Sequence, residues 1–113
     1  MRNMSFSMTT QQVIDGTKTV TRRTGWRFLK PGNMVRPVLK GMGLKKGEKV
    51  KPLRGPLRII SVRREPLSAM TQAECIKEGF PQMGWREFIA MLCDKYDCDY
   101  ATEFTRIEFE YTD

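Results

Sequence analysis

The segment Leu57-Arg58-Ile59-Ile60-Ser61-Val62-Arg63 constrains this chain more than any other. Its β-branched density is that of a central strand, and apolar residues at both parities predict a strand covered on two faces. A partner is legible at the other end of the chain. Thr105, Ile107, Phe109 and Tyr111 alternate with Arg106, Glu108 and Glu110, the period-two pattern of a half-buried strand. Two strands alone cannot bury their apolar sides, so the remaining residues must supply the rest of one sheet and its cover. At 113 residues the chain has the length of a single domain, expected to span 1–113, and folding buries only about two-thirds of its unfolded surface.

The other elements follow from local signals. Met4 to Met8 reads as an opening strand, followed by a helix of two turns at most, capped by Thr9 or Thr10 and stopped at Gly16. Thr19, Val20 and Thr21 favour a strand with Thr19, Thr21 and Arg23 on one polar face. Lys30-Pro31-Gly32-Asn33 is a turn, and extended chain resumes from Met34 to Lys40, with Pro37 marking an edge or bulge. Residues 41–56 read as a long loop with a short strand near Val50. Thr71-Gln72-Ala73-Glu74 is a capping box with Met70 and Cys75 as its staple, opening a helix from about Gln72 to Glu78 that ends at Gly79. Trp85, Phe88, Ile89 and Leu92 fall at i, i+3, i+4 and i+7, making 84–96 the longest amphipathic helix, its stripe assigned to core packing. The sum is a compact α+β fold on a strongly curved sheet or small barrel with short inserted helices.

Charge and composition narrow the chemistry. There is no histidine, which removes Ser-His-Asp and Cys-His pairs, histidine general bases and His-containing zinc sites. Cys75, Cys93 and Cys98 contain no CxxC pair and fit neither a disulfide framework nor a four-cysteine zinc site, so no metal or cofactor is expected and a reducing cytoplasm is the expected setting. No run approaches the roughly 18 apolar residues needed to cross a bilayer, and the expectation is an unexported protein without a membrane partner, acting as a monomer. Residues 1–64 hold 16 Lys/Arg against Asp15 and Glu48, a charge of +14, while residues 65–113 hold 4 against 11, a charge of −7. A basic half of that density attracts polyanions, so the expected partners are a nucleoside, a nucleotide or single-stranded RNA or DNA. Lys45, Lys46, Lys49 and Lys51, in the Gly-containing loop, are read as a solvated surface.

Ser5-Phe6-Ser7-Met8, the segment Gly16-Thr17-Lys18-Thr19-Val20-Thr21-Arg22-Arg23, the Lys30-Pro31-Gly32-Asn33 turn, Arg63-Arg64-Glu65 and Arg106-Ile107-Glu108-Phe109 together resemble the ASCH domain across nearly the whole chain. The resemblance implies the β-barrel of PUA-like RNA-binding domains. Within that superfamily the sequence is similar to the small bacterial N(4)-acetylcytidine amidohydrolases, whose proposed catalytic set is a lysine, a threonine three residues later and a glutamate on a helix in the second half. Lys18, Thr21 and Glu78 match that set, and Arg23 matches an arginine following the threonine. The 41–56 loop is longer than in those enzymes, and Arg22 is an added arginine. Glu74 competes with Glu78, but its capping role is expected to occupy its carboxylate.

The resemblance implies a hydrolase that removes an acyl group from the exocyclic amine of a cytidine-type nucleoside or nucleotide. The residues make chemical sense for it, because amide hydrolysis needs a nucleophile, a proton acceptor and a positive donor at the oxyanion. Lys18 stabilises the oxyanion or activates Thr21, and Glu78 activates the nucleophile or a water and protonates the leaving amine. A carboxylate in the last helical turn opposes the macrodipole by roughly 0.3–1 kcal/mol, a local conflict that points to function. The competing reading makes Lys18 an ordinary loop lysine, Thr21 an ordinary strand threonine and Glu78 a surface partner of Lys77 or Arg86. Arg22, Arg23, Trp26, Arg27, Phe28 and Lys30 interleave cations and aromatics as single-strand binders do, while Trp26 or Phe28 alternatively closes the barrel. The second class of function is therefore a non-catalytic RNA- or DNA-binding module, and a third is a small phage or bacterial protein that blocks a host factor.

Overall fold

The computed structural model describes residues 1–40 and 46–113. Five strands form one mixed sheet: β1 (Arg2–Ser5), β2 (Val20–Arg23), β3 (Met34–Val38), β4 (Leu57–Pro66) and β5 (Glu103–Tyr111), in the order β1-β3-β4-β5-β2. The β4–β5 ladder is the longest, running from Leu57↔Tyr111 to Pro66↔Glu103, and β4 is the middle strand of the sheet. It is not covered on both sides. The register shifts between Ile59 and Ser61, and Ile60 is 44% exposed. A bulge takes one residue out of the ladder, so the apolar run that reads as two buried faces holds one buried face and an outlying isoleucine.

The expected closed barrel is also corrected. β1 and β2 are the two edges and do not pair with each other. β1 is four residues long and is spent on its parallel ladder with β3, where Met4 faces Pro37. The space between the edges is crossed by a side chain instead, since Arg23 Nη2 on β2 donates to the Ser5 carbonyl on β1 at 2.6 Å. Pro37 sits on an interior strand rather than an edge because β4 pairs with β3 only at Met34 and Val35, leaving Pro37 beyond that ladder. The expected strand near Val50 is a single bridge between Val38 and Pro52. Residues 41–45 of the long loop, Lys45 among them, lie outside the described residues.

Among the described residues there are three α-helices, α1 (Thr10–Ile14), α2 (Gln72–Lys77) and α3 (Trp85–Tyr96), and a single 3-10 turn at Leu67–Ala69. α2 opens on Thr71, whose hydroxyl accepts from the Glu74 amide at 3.2 Å. It closes in a Schellman motif, with Gly79 N donating to Ile76 O and Phe80 N to Cys75 O. Gly79 takes φ +98°, a conformation open to glycine at little cost, and the reversal leaves Glu78 at the C-cap.

The interior divides in two. One cluster joins Met4, Phe6, Val13, Val35, Leu57, Ile59, Ile107 and Phe109 between the sheet and α1. The other joins Leu67, Met70, Cys75, Phe88, Ile89, Leu92 and Phe104 around α2 and α3. Cys75, Cys93 and Cys98 are free thiols. Among the described residues no helix is long and apolar enough to cross a membrane.

Candidate functional site

Lys18 is fixed by its backbone before its side chain does anything. Its amide donates to Gln12 O at 3.3 Å, and its carbonyl accepts from the Tyr111 hydroxyl, whose pKa burial pushes up to about 12. The next amide, that of Thr19, donates to Lys77 O at 2.8 Å, stitching this segment to the last turn of α2. The C-cap residue Glu78 therefore meets Lys18 directly. Lys18 Nζ donates to the Glu78 backbone carbonyl at 2.7 Å and to Glu78 Oε1 at 3.0 Å, with both residues only 3% exposed. Burial pulls the Lys18 ammonium below the usual lysine range; Glu78 opposes that shift, while Arg23 and Arg22 add to it.

Glu78 does not pair with Lys77 or Arg86. Its second oxygen, Oε2, accepts from Arg22 Nη1 at 2.8 Å, while Arg22 Nη2 donates to Glu74 Oε1 at 2.8 Å. Arg22 is thus 4% exposed with both ends of its guanidinium engaged, and the structure removes it from the surface set expected to touch nucleic acid. Arg22 faces Arg106 directly across the β2–β5 ladder, a like-charge pair reconciled by α2. Arg106 grips both oxygens of Glu74, at 2.5 and 3.0 Å. Those bonds, more than Arg22, hold the Glu74 carboxyl down at about 2. Glu74 is occupied as expected, but by these arginines rather than by a capping bond.

Thr21, on β2, is 4% exposed and accepts from Arg23 Nε at 3.1 Å. Its own O–H is spent on no other side chain or carbonyl among the described residues. Arg23 stacks over the Phe6 ring at 4.9 Å, bonds Ser5 and Thr21, and keeps Nη1 free of protein partners among the described residues. Desolvation lowers its pKa.

These side chains converge. Lys18, Thr21, Arg22, Arg23 and Glu78 all border one cavity of about 130 Å³, whose apolar wall includes Phe6, Phe80, Phe88 and Tyr96. It lies at the seam between the two hydrophobic clusters and in the gap between the edge strands, with Met8 and Lys95 among its lining residues. Sequence reading missed this apolar wall because Phe88 and Leu92 belong to a stripe that also packs the core. Their helical spacing carries no mark separating the two duties.

The remaining expected binding residues lie elsewhere. Arg27 and Lys30 are exposed, and neither has an ion-pair partner among the described residues. Trp26, at φ +62°, is half-buried against the first cluster, with its ring 5.4 Å from that of Phe28, which is 51% exposed. Among the described residues no group of His, Cys, Asp or Glu side chains is arranged to hold a metal ion.

Solved structures share this fold. A protein of Enterococcus faecalis assigned to the family DUF984 superposes with a TM-score of 0.65 at 14% identity, over 100% of this chain and 77% of its own. The ASCH domain of a Lactobacillus crispatus protein superposes with a TM-score of 0.62 at 12% identity, over 96% of this chain and 77% of its own. By sequence, no protein-family model and no curated protein matches the chain. Identities this low establish a common fold, the ASCH-type α+β sheet with short helices, and nothing finer.

Proposed function

We propose, on the premise of an ASCH-type fold, that this protein hydrolyses an acyl group from the exocyclic amine of a cytosine base. The observation that carries the reading is the cavity itself, since a buried lysine bonded to a glutamate and a buried threonine all border one aromatic-walled space of about 130 Å³. At about 130 Å³ the space is slightly smaller than a cavity of about 150 Å³ that takes one benzene ring, so in size it matches the acyl-amide end of the substrate and the adjoining edge of the base, with the sugar left at the mouth.

The charge arrangement distributes the roles. Both Glu78 oxygens already accept from cations, which suits the glutamate to hold Lys18 rather than to collect a proton. Lys18 is the better acceptor, because burial and two neighbouring arginines favour its neutral amine. In the proposed reaction Thr21 Oγ bonds to the acyl carbon as its proton passes to Lys18, and the carbonyl electrons move onto oxygen. In this scheme Arg23 Nη1, which has no protein partner among the described residues, donates to that oxyanion. Collapse breaks the C–N bond while Lys18 returns the proton to the leaving amine. Water then repeats the cycle on the acyl-threonine ester, releasing the carboxylic acid and restoring Thr21. Glu78 is a positioning residue in this scheme, and Lys18 and Thr21 are the catalytic ones.

Incubation of the protein with N(4)-acetylcytidine, free and within a short RNA, followed by mass spectrometry, tests the reading. Loss of the acyl mass with the wild type, and its retention with Lys18→Met and with Thr21→Val, is the expected result. An inactive wild type that binds RNA would leave the fold in the role of a non-catalytic binding module.

A further inference from the structure

A second hollow adjoins the cavity. It measures about 460 Å³ and is bordered by Arg2, Arg23, Thr24, Gly25, Trp26, Phe28 and Tyr96, so Arg23 and Tyr96 form a wall common to both. Phe28 is 51% exposed, and the Arg2 guanidinium lies over its ring at 4.4 Å. An exposed aromatic ring beside an arginine that has no acidic partner among the described residues is the pairing that recognises a base and its phosphate together, the guanidinium yielding the ring face to the base. The shared wall supplies the rest. Arg23 borders both spaces, so its guanidinium charge adjoins the path by which a phosphate joining two nucleotides would cross from one to the other. Arg27 and Lys30, exposed and without an ion-pair partner among the described residues, add positive charge on the same loop as Phe28.

We infer that the Arg2–Phe28 hollow is a subsite for the nucleotide next to the one whose base enters the cavity, so that the substrate is single-stranded nucleic acid rather than a free nucleoside. The inference rests on the cavity being a base pocket. It accounts for a feature that a free nucleoside leaves unused, since a nucleoside carries no phosphate to meet the +14 half of the chain.

The test compares wild type, Phe28→Ala and Arg2→Gln, all checked for unchanged thermal melting, which both exposed positions should permit. Binding of a fluorescent cytidine-containing pentaribonucleotide is measured by anisotropy over a salt series, and turnover is measured on acetylated pentamer and on free N(4)-acetylcytidine. The expected result is a tenfold or greater loss of pentamer affinity in Phe28→Ala. Arg2→Gln should flatten the log–log salt slope by about 0.7. Turnover of the pentamer should fall in both variants while that of the free nucleoside, which does not reach the hollow, stays at the wild-type rate. Pentamer binding that is unchanged in both variants overturns the subsite. If no acylated cytidine is turned over by any protein but pentamer binding still depends on Phe28, the deacylase reading falls and the subsite stands.

Discussion

Lys18 and Glu78, 60 positions apart, are joined twice, once through the Glu78 carboxylate and once through its backbone carbonyl. The second bond does not depend on what side chain stands at position 78. Glu78→Gln therefore leaves Lys18 in place but strips the anion from two buried cations, Lys18 and Arg22. Removing one partner of a buried ion pair costs about 3–5 kcal/mol. Urea unfolding of Glu78→Gln should show a loss in that range, and a loss below about 1 kcal/mol would mean that the cluster is more hydrated than its burial indicates. Because Glu78 raises the Lys18 pKa, the same variant should move the alkaline-rising limb of any turnover profile to lower pH.

Thr21→Val keeps the shape of the side chain and deletes its hydroxyl. The stability cost should be about 1–3 kcal/mol, since Arg23 Nε is left without its acceptor in a desolvated place while Nη2 retains the Ser5 carbonyl. Turnover of an acylated cytidine should fall about 1,000-fold or more, the scale on which catalytic groups fail singly. Thr21→Ser should keep measurable activity. Equal activity in the valine and serine variants would transfer the nucleophilic role to water.

Local chemistry made part of this molecule readable. The Thr71 cap and the Gly79 stop each depend on residues within a few positions of one another, and each is where its pattern places it, whereas β5 forms as expected but its alternation fails at Arg106, which is 3% exposed where Glu74 of α2 meets it. Arg22 was misplaced for the same reason as Arg106. A strand that alternates polar residues normally shows them to solvent, but α2 returns over β2 some 50 residues later and brings Glu74 and Glu78 to meet the arginine. Openness of the sheet is non-local too. Whether β1 meets β2 depends on register between the two chain segments furthest apart in the sheet order, and no single segment encodes it. Lys18, Thr21 and Glu78 are proposed from resemblance, which links positions that, apart from the unfavourable place of Glu78 at the end of α2, their own neighbours leave unremarkable.

Acid should loosen the arginine–glutamate cluster before it unfolds the sheet. The Glu74 carboxyl is held at about 2, chiefly by Arg106, against an ordinary value of 4.5. A depressed carboxyl pKa means that the unfolded chain binds the proton more readily. The stabilisation is thus complete above about 4.5 and is lost as pH falls toward 2. Allowing for the solvent that reaches this partly exposed group, the loss is on the order of 1–2 kcal/mol. A Glu74→Gln variant should give a flatter dependence of unfolding free energy on pH across that window. Parallel curves for the two proteins would contradict the assignment.

Gly79 couples the end of α2 to the placement of Lys18. Its φ of +98° strains any other residue, and a Cβ built there would lie 2.9 Å from Gln12 Cγ and 3.1 Å from Gln12 Cβ. Gln12 cannot retreat freely, because its amide donates to Gly79 O and its carbonyl receives the amides of Thr17 and Lys18. Gly79→Ala should therefore cost about 1–3 kcal/mol in unfolding free energy from the left-handed backbone alone. Displacing Gln12 should also move the Lys18 backbone away from Glu78, so pentamer turnover should drop while binding at the exposed Arg2–Phe28 hollow persists. The comparison is Gln12→Ala, which opens the space that the new methyl needs. Combined with Gly79→Ala, it should recover part of the lost stability, the part owed to the clash, and leave the part owed to φ. A double variant no more stable than Gly79→Ala alone would show that backbone strain, rather than contact with Gln12, accounts for the whole cost.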